Sequence, residues 1–574
     1  GILIISTVLL YLPIQRTFNS YTSSLLQETL IKMVDEQSKG EYSFRFEKLR
    51  YNVFTQKITL ENFDFFPTDS TRLRFDSTAS KNRLFCELVI SRLEIQLEDQ
   101  FDFFFYEKLE IADIVIDSPF ARIINNKTVE KDISISKMTG ELYKALTKYF
   151  QVFELKNVRV NDAKVDYTLN TKTSSQSFFF NPFSFKVVDF KMDREEDTRS
   201  TNRLLFTEDF ELNSGYQEFM LADSLHKISY DRFSISMKKE FVEIHNLRIV
   251  PADNNIDSDT NLIDLFIPTV KIIDIDFAKA YEEDQISIRK LLIERPAVNL
   301  QLVGARSKKD TVTISEKLAK SKLFEALASI DVERLMLTHS SASIALLQKG
   351  RKLDFMIKGL NYKGSKLRVD NTSFDNFVFA DLHNNYKFSV SEIKHEVVEE
   401  GLMARVNNVS YSSLTRVLDV EELVVQPNSK DIQRNIRTHR KKLQLEKLES
   451  KGIHLSNFNM DQVVDDKSLL LASSRIKQPK ITSLYDTAYV KDTSKLPTPQ
   501  SNFLSTFLDT LIAQNFSIDN ALISVNDAHH PSVQFAKFEQ VDIYSKQFDL
   551  NSMVNKGYDL YDLLESSGIS TSSS

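Results

Sequence analysis

From Glu41 onward the chain alternates apolar with polar or charged residues. The runs YSFRFEKLRY, KITLENFDFF, LEIQLEDQFDFFF, FSISMKKEFVEIHNLRIV and VKIIDIDF all keep a period of two. In an extended chain that period sends every apolar side chain to one face and every polar one to the other. A sheet with one dry face needs a second layer, closure on itself, or an apolar occupant. Runs with helical spacing are few. SSLLQETLIKMVDEQ (23–37) has Ser24 and Gln27 at capping-box distance, with Leu26, Leu30 and Met33 on one face. GELYKALTKYF (140–150), KLFEALAS (322–329) and FLSTFLDTLIAQN (503–515) also read as helices. The expectation is a mainly β protein in which strand outnumbers helix by at least about two to one.

The alternation repeats on a larger scale. Pro119 in VIDSPFARII and Pro296 in LLIERPAVNL lie 177 residues apart between matching apolar runs. The same slide carries Leu88 onto Leu265, Ile90 onto Ile267, Leu109 onto Ile286 and Ile111 onto Ile288. It also lays FELKNVRV (153–160) over IDVERLML (330–337). Tyrosines 51, 230 and 411 end similar short motifs and precede Pro119, Pro296 and Pro479 by 68, 66 and 68 residues. VNDA occurs at 160–163 and again at 525–528. Three tandem units of about 180 residues account for this order: 41–226, 227–405 and 406–574, the last incomplete. The alternation slips by one residue between Ile111 and Ile114, and again between Ile288 and Leu291. A slip of one flips faces unless a bulge absorbs it, so a built-in bend is expected there.

Composition narrows the function. With 574 residues, 42% of them hydrophobic, the chain has the means to bury a large core. A net charge of −7 argues against a nucleic-acid surface. One cysteine, Cys86 in LFCELVI, excludes an internal disulfide framework and reads as a small hydrophobe. GILIISTVLLYLPI (1–14) is almost wholly apolar and reads as the end of a longer hydrophobic segment. Residues 1–22 are therefore expected to anchor the chain in a membrane as an N-terminal transmembrane helix, through Ile2, Leu3, Ile4, Ile5, Val8, Leu9, Leu10 and Leu12. Residues 23–40 follow as a short helix and linker.

No catalytic constellation stands out, so the reading is not an enzyme, with no cofactor and no metal. The nine histidines are scattered, and His529–His530 in DAHHPS reads as a solvated turn. GLNYKGSK (359–366) has glycines at phosphate-loop distance, but Ser365–Lys366 reverses the required order. Asp274 and Asp276 in IDID read as the wet face of a strand. The basic run RNIRTHRKKLQLEK (434–447) has no counterpart after Pro251 and reads as a solvated segment rather than a headgroup site.

The hydrophobic leader, short helix and YSFRFEKLRYNVFTQKITLENFDFF resemble the opening of AsmA-like proteins. So do the recurring strand–Pro–strand units and FELKNVRVNDAKVDY. That family is related to TamB-like and chorein-type bridge lipid-transfer proteins. The resemblance implies an elongated, curved antiparallel β-sheet forming an open groove, lined here by Leu88, Ile90, Leu109, Ile111, Leu265, Ile267, Ile286 and Ile288. It implies an inner-membrane anchor with the bulk of the chain in the periplasm. Phospholipid or another envelope lipid would be conducted toward the outer membrane, in the company of outer-membrane or periplasmic proteins. The competing expectation is a scaffold that assists outer-membrane protein assembly and carries no lipid.

Overall fold

The computed structural model describes residues 39–52, 55–72, 83–98, 108–126, 152–170, 175–193, 207–221, 225–252, 261–282, 285–303, 329–348, 351–370, 385–397, 402–427, 443–465, 468–487, 510–546 and 548–549. Of these, 82% lie in strands. They divide into two compact units. Unit 1 ends at Ala222 and also takes in Lys227–Leu247 and Lys271–Ser287; unit 2 holds the remainder.

In unit 1, β1 (Tyr42–Arg45) and β2 (Lys48–Asn52) lie antiparallel to β3 (Lys57–Pro67), which pairs with β4 (Arg83–Leu97). β4 is antiparallel to both β5 (Lys108–Asp117) and β6 (Phe120–Asn126). These two run parallel to successive halves of β7 (Val152–Asn170). β7 turns back as β8 (Ser175–Asp193), on which β9 (Asp209–Ser214) pairs. β10 (Gln217–Met220) pairs with β11 (His226–Tyr230), while β12 (Arg232–Ser236) lies between β9 and β13 (Phe241–Pro251). Residues 271–276 of β14 (Leu262–Asp276), the short helix α1 (Phe277–Glu282) and residues 285–287 of β15 (Gln285–Glu294) also belong to unit 1, and the remainder of both strands to unit 2.

In unit 2 the first half of β14 is antiparallel to β16 (Ala297–Val303), which runs parallel to β17 (Ser329–Gln348). Four antiparallel strands follow: β18 (Arg351–Asp370), β19 (Asn385–Val397), β20 (Leu402–Ser412) and β21 (Val417–Pro427). β21 takes β22 (Leu443–Ser450) and β23 (Ile453–Ser456) along its length. After helix α2 (Met460–Asp465), β24 (Ser468–Lys477) pairs with β23 and β25 (Lys480–Tyr485) with β22. Both run parallel to β26 (Thr510–Asp527), and β27 (Gln534–Ser545) and β28 (Phe548–Asp549) lie antiparallel to β26.

One local geometry occurs three times. Ser118, Arg295 and Gln478, each just before a proline, have positive φ of 49°, 48° and 47°. Each donates its N–H to the long strand alongside: to Asn161 at 2.9 Å, Thr338 at 2.7 Å and Asp519 at 2.8 Å. The proline has no N–H to give, but its carbonyl accepts from Lys164, Ser341 and Leu522. Facing each kink, the long strand has its own left-handed residue: Asp162, His339 and Asn520, with φ of 53°, 50° and 55°. Their N–H groups are satisfied by Ser184 Oγ, Asn361 Oδ1 and Asp542 Oδ1 on the next strand. The ladder shifts register beside all three. Each strand therefore bends as a bulged pair rather than breaking.

Single left-handed residues also explain why the alternation restarts out of phase. Ile58 and Leu60 precede Asn62 (φ 52°), and Phe63 and Phe65 follow it. Ala404 and Val406 precede Asn408 (φ 51°), and Val409 and Tyr411 follow it. A half-step rotation at the bend lets apolar residues resume one position early, which is what keeping them on one face of a bent strand requires. Left-handed backbone suits Asn and Gly and strains a β-branched residue. Asn520→Val is expected to lower stability by about 1–3 kcal/mol, and Asn520→Gly by less than about 1 kcal/mol. Urea unfolding of the two variants checks this; equal losses would mean that φ does not set the cost.

The sheet is mixed, not antiparallel: β5–β6, β16 and β24–β25 run parallel to β7, β17 and β26. Period two alone does not distinguish the two arrangements, since both alternate faces. The helix expected at 503–515 fails from Thr510, where β26 begins. Residues 503–509 lie outside the described residues, as do the anchor at 1–22, the helix at 23–37 and the runs at 140–150 and 322–328. Among the described residues no helix is long and apolar enough to cross a membrane. Tyr230 is also out of step: Tyr51 and Tyr411 stand five residues before the left-handed turn residues Gln56 and Arg416, whereas Tyr230 stands ten before Glu240.

Candidate functional site

Residues directly opposite in a ladder project from the same face, so register turns strand pairs into rows. In unit 1 one row runs Leu60, Leu93, Ile116, Val160, Phe185, Leu212, Ile235, Val242 across β3, β4, β5, β7, β8, β9, β12 and β13. Two positions along each strand, Ile58, Ile95, Ile114, Val158, Val187 and Phe210 form a parallel row on the same face. At the usual strand spacing the longer row spans about 34 Å without a polar side chain. The intervening positions, on the opposite face, read Thr59, Glu94, Val115, Arg159, Lys186, Glu211. Ion pairs lace that face: Lys57 to Glu94 at 2.6 Å and Arg159 to Asp113 at 2.8 Å. Partial burial works to raise the Glu94 pKa, but Lys57 and Arg92 outweigh it and hold the carboxyl below its ordinary range.

Unit 2 has a comparable face. Leu265, Val298, Ala342, Ile357, Ile393, Val406 and Leu423 form one row. Beside it run Ile263, Leu300, Ile344, Phe355, His395, Ala404, Val425, Leu448, Ile481, Ile523 and Phe538. A four-residue column recurs through the chain in the same register: Leu88–Ala121–Val165–Phe180, Leu265–Val298–Ala342–Ile357 and Leu448–Ile481–Ile523–Phe538. Part of the unit 2 face is closed locally. Met460 and Val463 of α2 pack on a cluster of Tyr386, Tyr411, Phe458, Leu469, Leu471 and Ala513, and Tyr411 donates its hydroxyl to the Phe458 carbonyl. Burial drives the Tyr362 phenol upward in pKa at the edge of this cluster.

The residues expected to line a groove divide. Leu88 and Leu265 head equivalent columns and are half-buried, as is Ile286. Ile90, Ile111, Ile267 and Ile288 are buried, at 4%, 7%, 8% and 5% exposure. Ile111 pairs with Leu97 and Leu155, and Leu109 with Phe153. The slip expected after Ile111 is present: the β4–β5 register shifts between Gln96 and Leu97, opposite residues 111–113. Periodicity missed the rows from β8 onward, because it marks which residues alternate but not which lie opposite one another.

His395 is the one titratable side chain in the long unit 2 row. It is 4% exposed and stacked on Phe355, ring centroids 4.0 Å apart. Burial lowers its pKa, against the opposing pull of Asp354 and Glu396. Because the unfolded chain takes up a proton that the folded one resists, the stabilisation is complete above the ordinary histidine value of about 6.5 and is lost as pH falls below it. His395→Phe, which keeps an aromatic ring against Phe355, should remove this component. Its unfolding midpoint should fall less than the wild type's between pH 7 and 5. Parallel curves would assign the dependence to other groups.

Other candidate chemistry has structural roles. Asp276 accepts the Lys279 N–H at the start of α1, and Asp274 is one of the left-handed residues. His529 is held by the buried Asp486, Nε2 to Oδ1 at 2.9 Å, a pairing that the spacing of the two residues does not reveal. Cys86 is half-buried and its thiol is pushed up by that burial. Among the described residues, no group of three or more His, Cys, Asp or Glu is placed to hold a metal ion. The basic run at 434–442 lies outside them.

No family model and no curated protein matches the chain. Among solved structures, the sex pheromone precursor from Lactobacillus salivarius subsp. salivarius UCC118 covers 58% of this chain and 83% of its own, at 8% identity and a TM-score of 0.10. That likeness is too slight to bear on fold or function.

Proposed function

We propose that this chain is an envelope lipid carrier that holds acyl chains on its apolar sheet face and conducts lipid between inner and outer membranes. Residues 1–22 would anchor it in the inner membrane and the rest would occupy the periplasm. The observation that carries this reading is the pair of apolar rows crossing unit 1, unbroken from β3 to β9, with the charged ladder confined to the other face. Each apolar side chain fully transferred from water to lipid tails contributes about 1.5–3 kcal/mol, the same driving force as burial in a core. A continuous row therefore offers tails a path of nearly constant affinity, while a charge on that path would impose a barrier of several kcal/mol. The resemblance to AsmA-like proteins in the leader, the alternating strands and the strand–Pro–strand units agrees with it.

The scaffold reading has an observation of its own. Ile90, Ile111, Ile267 and Ile288 are already buried, and α2 covers part of the unit 2 face, so some of the apolar surface packs on protein. Mass spectrometry of organic extracts from the purified full chain separates the two. Co-purifying phospholipid in stoichiometric amount is expected. Photo-crosslinks to it should form from Val187 and Phe210 but not from Lys186 and Glu211. Extracts no richer than a detergent blank, or equal crosslinking from both faces, would leave the scaffold.

A further inference from the structure

We infer that the part of the unit 1 apolar face built by β8, β9 and β10 is a selective station for lipid chains that carry a rigid, conjugated polyene. This rests on the lipid-carrying reading and adds a chemical preference to it. The two long rows change character as they cross the sheet. From β3 to β7 they hold only Leu, Ile and Val: Leu60, Leu93, Ile116 and Val160 in one, Ile58, Ile95, Ile114 and Val158 in the other. Rings enter at β8. Phe178, Phe180, Phe183 and Phe185 face Tyr167, Val165, Ala163 and Val160, and the register shift beside Ala163 keeps all four on one face. Phe210 of β9 and Phe219 of β10 flank this line. The Phe219 ring centroid lies 6.4 and 5.2 Å from those of Phe178 and Phe180, and Phe185 lies 6.5 and 6.3 Å from Phe183 and Phe210. All six are half-buried, so ring surface is left to solvent.

The other repeats show that the ladder does not require those rings. At the four matched positions of the long hairpin, the second repeat has Phe355, Ile357, Leu360 and Tyr362. The third has Ala536, Phe538, Val541 and Ile543. Where the second repeat keeps a ring, the protein already uses it. Phe355 stacks on His395, and Tyr362 packs against the cluster that α2 covers. Aliphatic side chains supply the same apolar cover. What a ring adds is a π surface, whose offset or edge-on contact with another π system contributes beyond the area buried. A saturated tail gains only ordinary contact there. A conjugated chain is flat and polarisable, and being stiff it loses fewer rotations on binding. The four β8 rings stand in one line along a strand, which matches a rod rather than a disc.

In the test the full chain is incubated with equal amounts of trans-parinaric acid, whose chain is a conjugated polyene, and stearic acid, saturated and of the same length. Protein is recovered by gel filtration, and the bound fatty acids are extracted and quantified by mass spectrometry. The polyene is expected to exceed stearate by about tenfold or more. Phe180→Ile with Phe183→Leu gives the first repeat the residues of the second. It should bring the ratio to within about twofold of equality, with total bound fatty acid within about twofold of wild type and the strand signal in circular dichroism kept. Phe219→Leu removes one ring from a neighbouring strand and should cut the ratio by about threefold. Phe63→Leu, which faces Ile90 on β4, should leave it unchanged. Near-equal binding of the two acids by the wild type overturns the inference and leaves the lipid carrier standing. Binding of neither overturns both. A ratio that survives Phe180→Ile with Phe183→Leu, or that Phe63→Leu lowers as much, places the preference elsewhere and overturns the inference too.

Discussion

Under the proposed lipid-carrying function, replacing Val187 and Phe210 together by aspartate should abolish lipid binding. The two residues face each other across β8 and β9 in the second apolar row of unit 1, and both are half-buried. Lipid tails laid over them would trap two carboxylates away from water and directly opposite each other, where like charges also repel. That barrier is several kcal/mol, against the roughly 0.8 kcal/mol that each methylene of a tail contributes. Co-purifying lipid should therefore fall by about tenfold or more. Without lipid the carboxylates reach solvent, so circular dichroism should keep its strand signal. Lys186→Ser with Glu211→Ser, on the charged face, should retain wild-type lipid. If the double aspartate variant costs too much stability, Val187→Ser with Phe210→Ser carries the same test with smaller strain. A folded variant of either kind with undiminished lipid would sink the conduit.

Met192→Ala should instead cost stability and leave lipid unchanged. Met192 is 1% exposed and faces Phe153, whose backbone pairs with Leu109 on the other side. Phe153 stands edge-on to Phe190, ring centroids 6.0 Å apart at 83°. Removing a fully buried side chain from such a site leaves a cavity and lowers stability by about 2–5 kcal/mol. This end of the column was expected from the sequence to line a groove, and the outcome decides whether it does. Lost lipid with unchanged unfolding would return Leu109 to the lining. Lost stability with unchanged lipid would make it core. Denaturant unfolding and lipid extraction on one preparation give both readouts.

Much of the fold was legible because alternation reports the face directly. The slide of 177 residues placed Leu88 on Leu265, and the structure gives both the same cross-strand partners, Ala121 and Val298, at that same spacing. The Ile111 slip was legible too, since a bulge leaves a missed beat in the pattern. Parallel pairing was not. The strand β5–β6 reads as β-runs around a proline whether its neighbour runs with it or against it. Nor was burial: Ile286 and Ile288 carry one pattern, yet Ile288 is buried at 5% exposure and Ile286 half-buried. Alternation says which face a residue takes, but depth depends on what lies over it. The left-handed residues left a signal that went unread, an Asn or Asp at the point where alternation changes phase, as at Asn62, Asn246 and Asn408. The His395 and Asp486 sites had none, because both depend on strands distant in sequence.

The parallel pairs impose an order on assembly. β7 and β8 are joined by residues 171–174 alone, and β17 and β18 by 349–350, so these hairpins close over short loops. The kinked strand β5–β6 reaches β7 only across residues 127–151, and β16 reaches β17 across 304–328. Local closure precedes distant closure, since the entropy of each loop is lost before its contacts reward it. Each of these two hairpins should thus pass through a stage in which it is formed and one flank of β7 or β17 has no neighbour. During that interval the chain presents an adhesive edge almost twenty residues long, β7 spanning Val152 to Asn170. Yield on refolding should fall with protein concentration for this reason, well before any difference in final stability is felt.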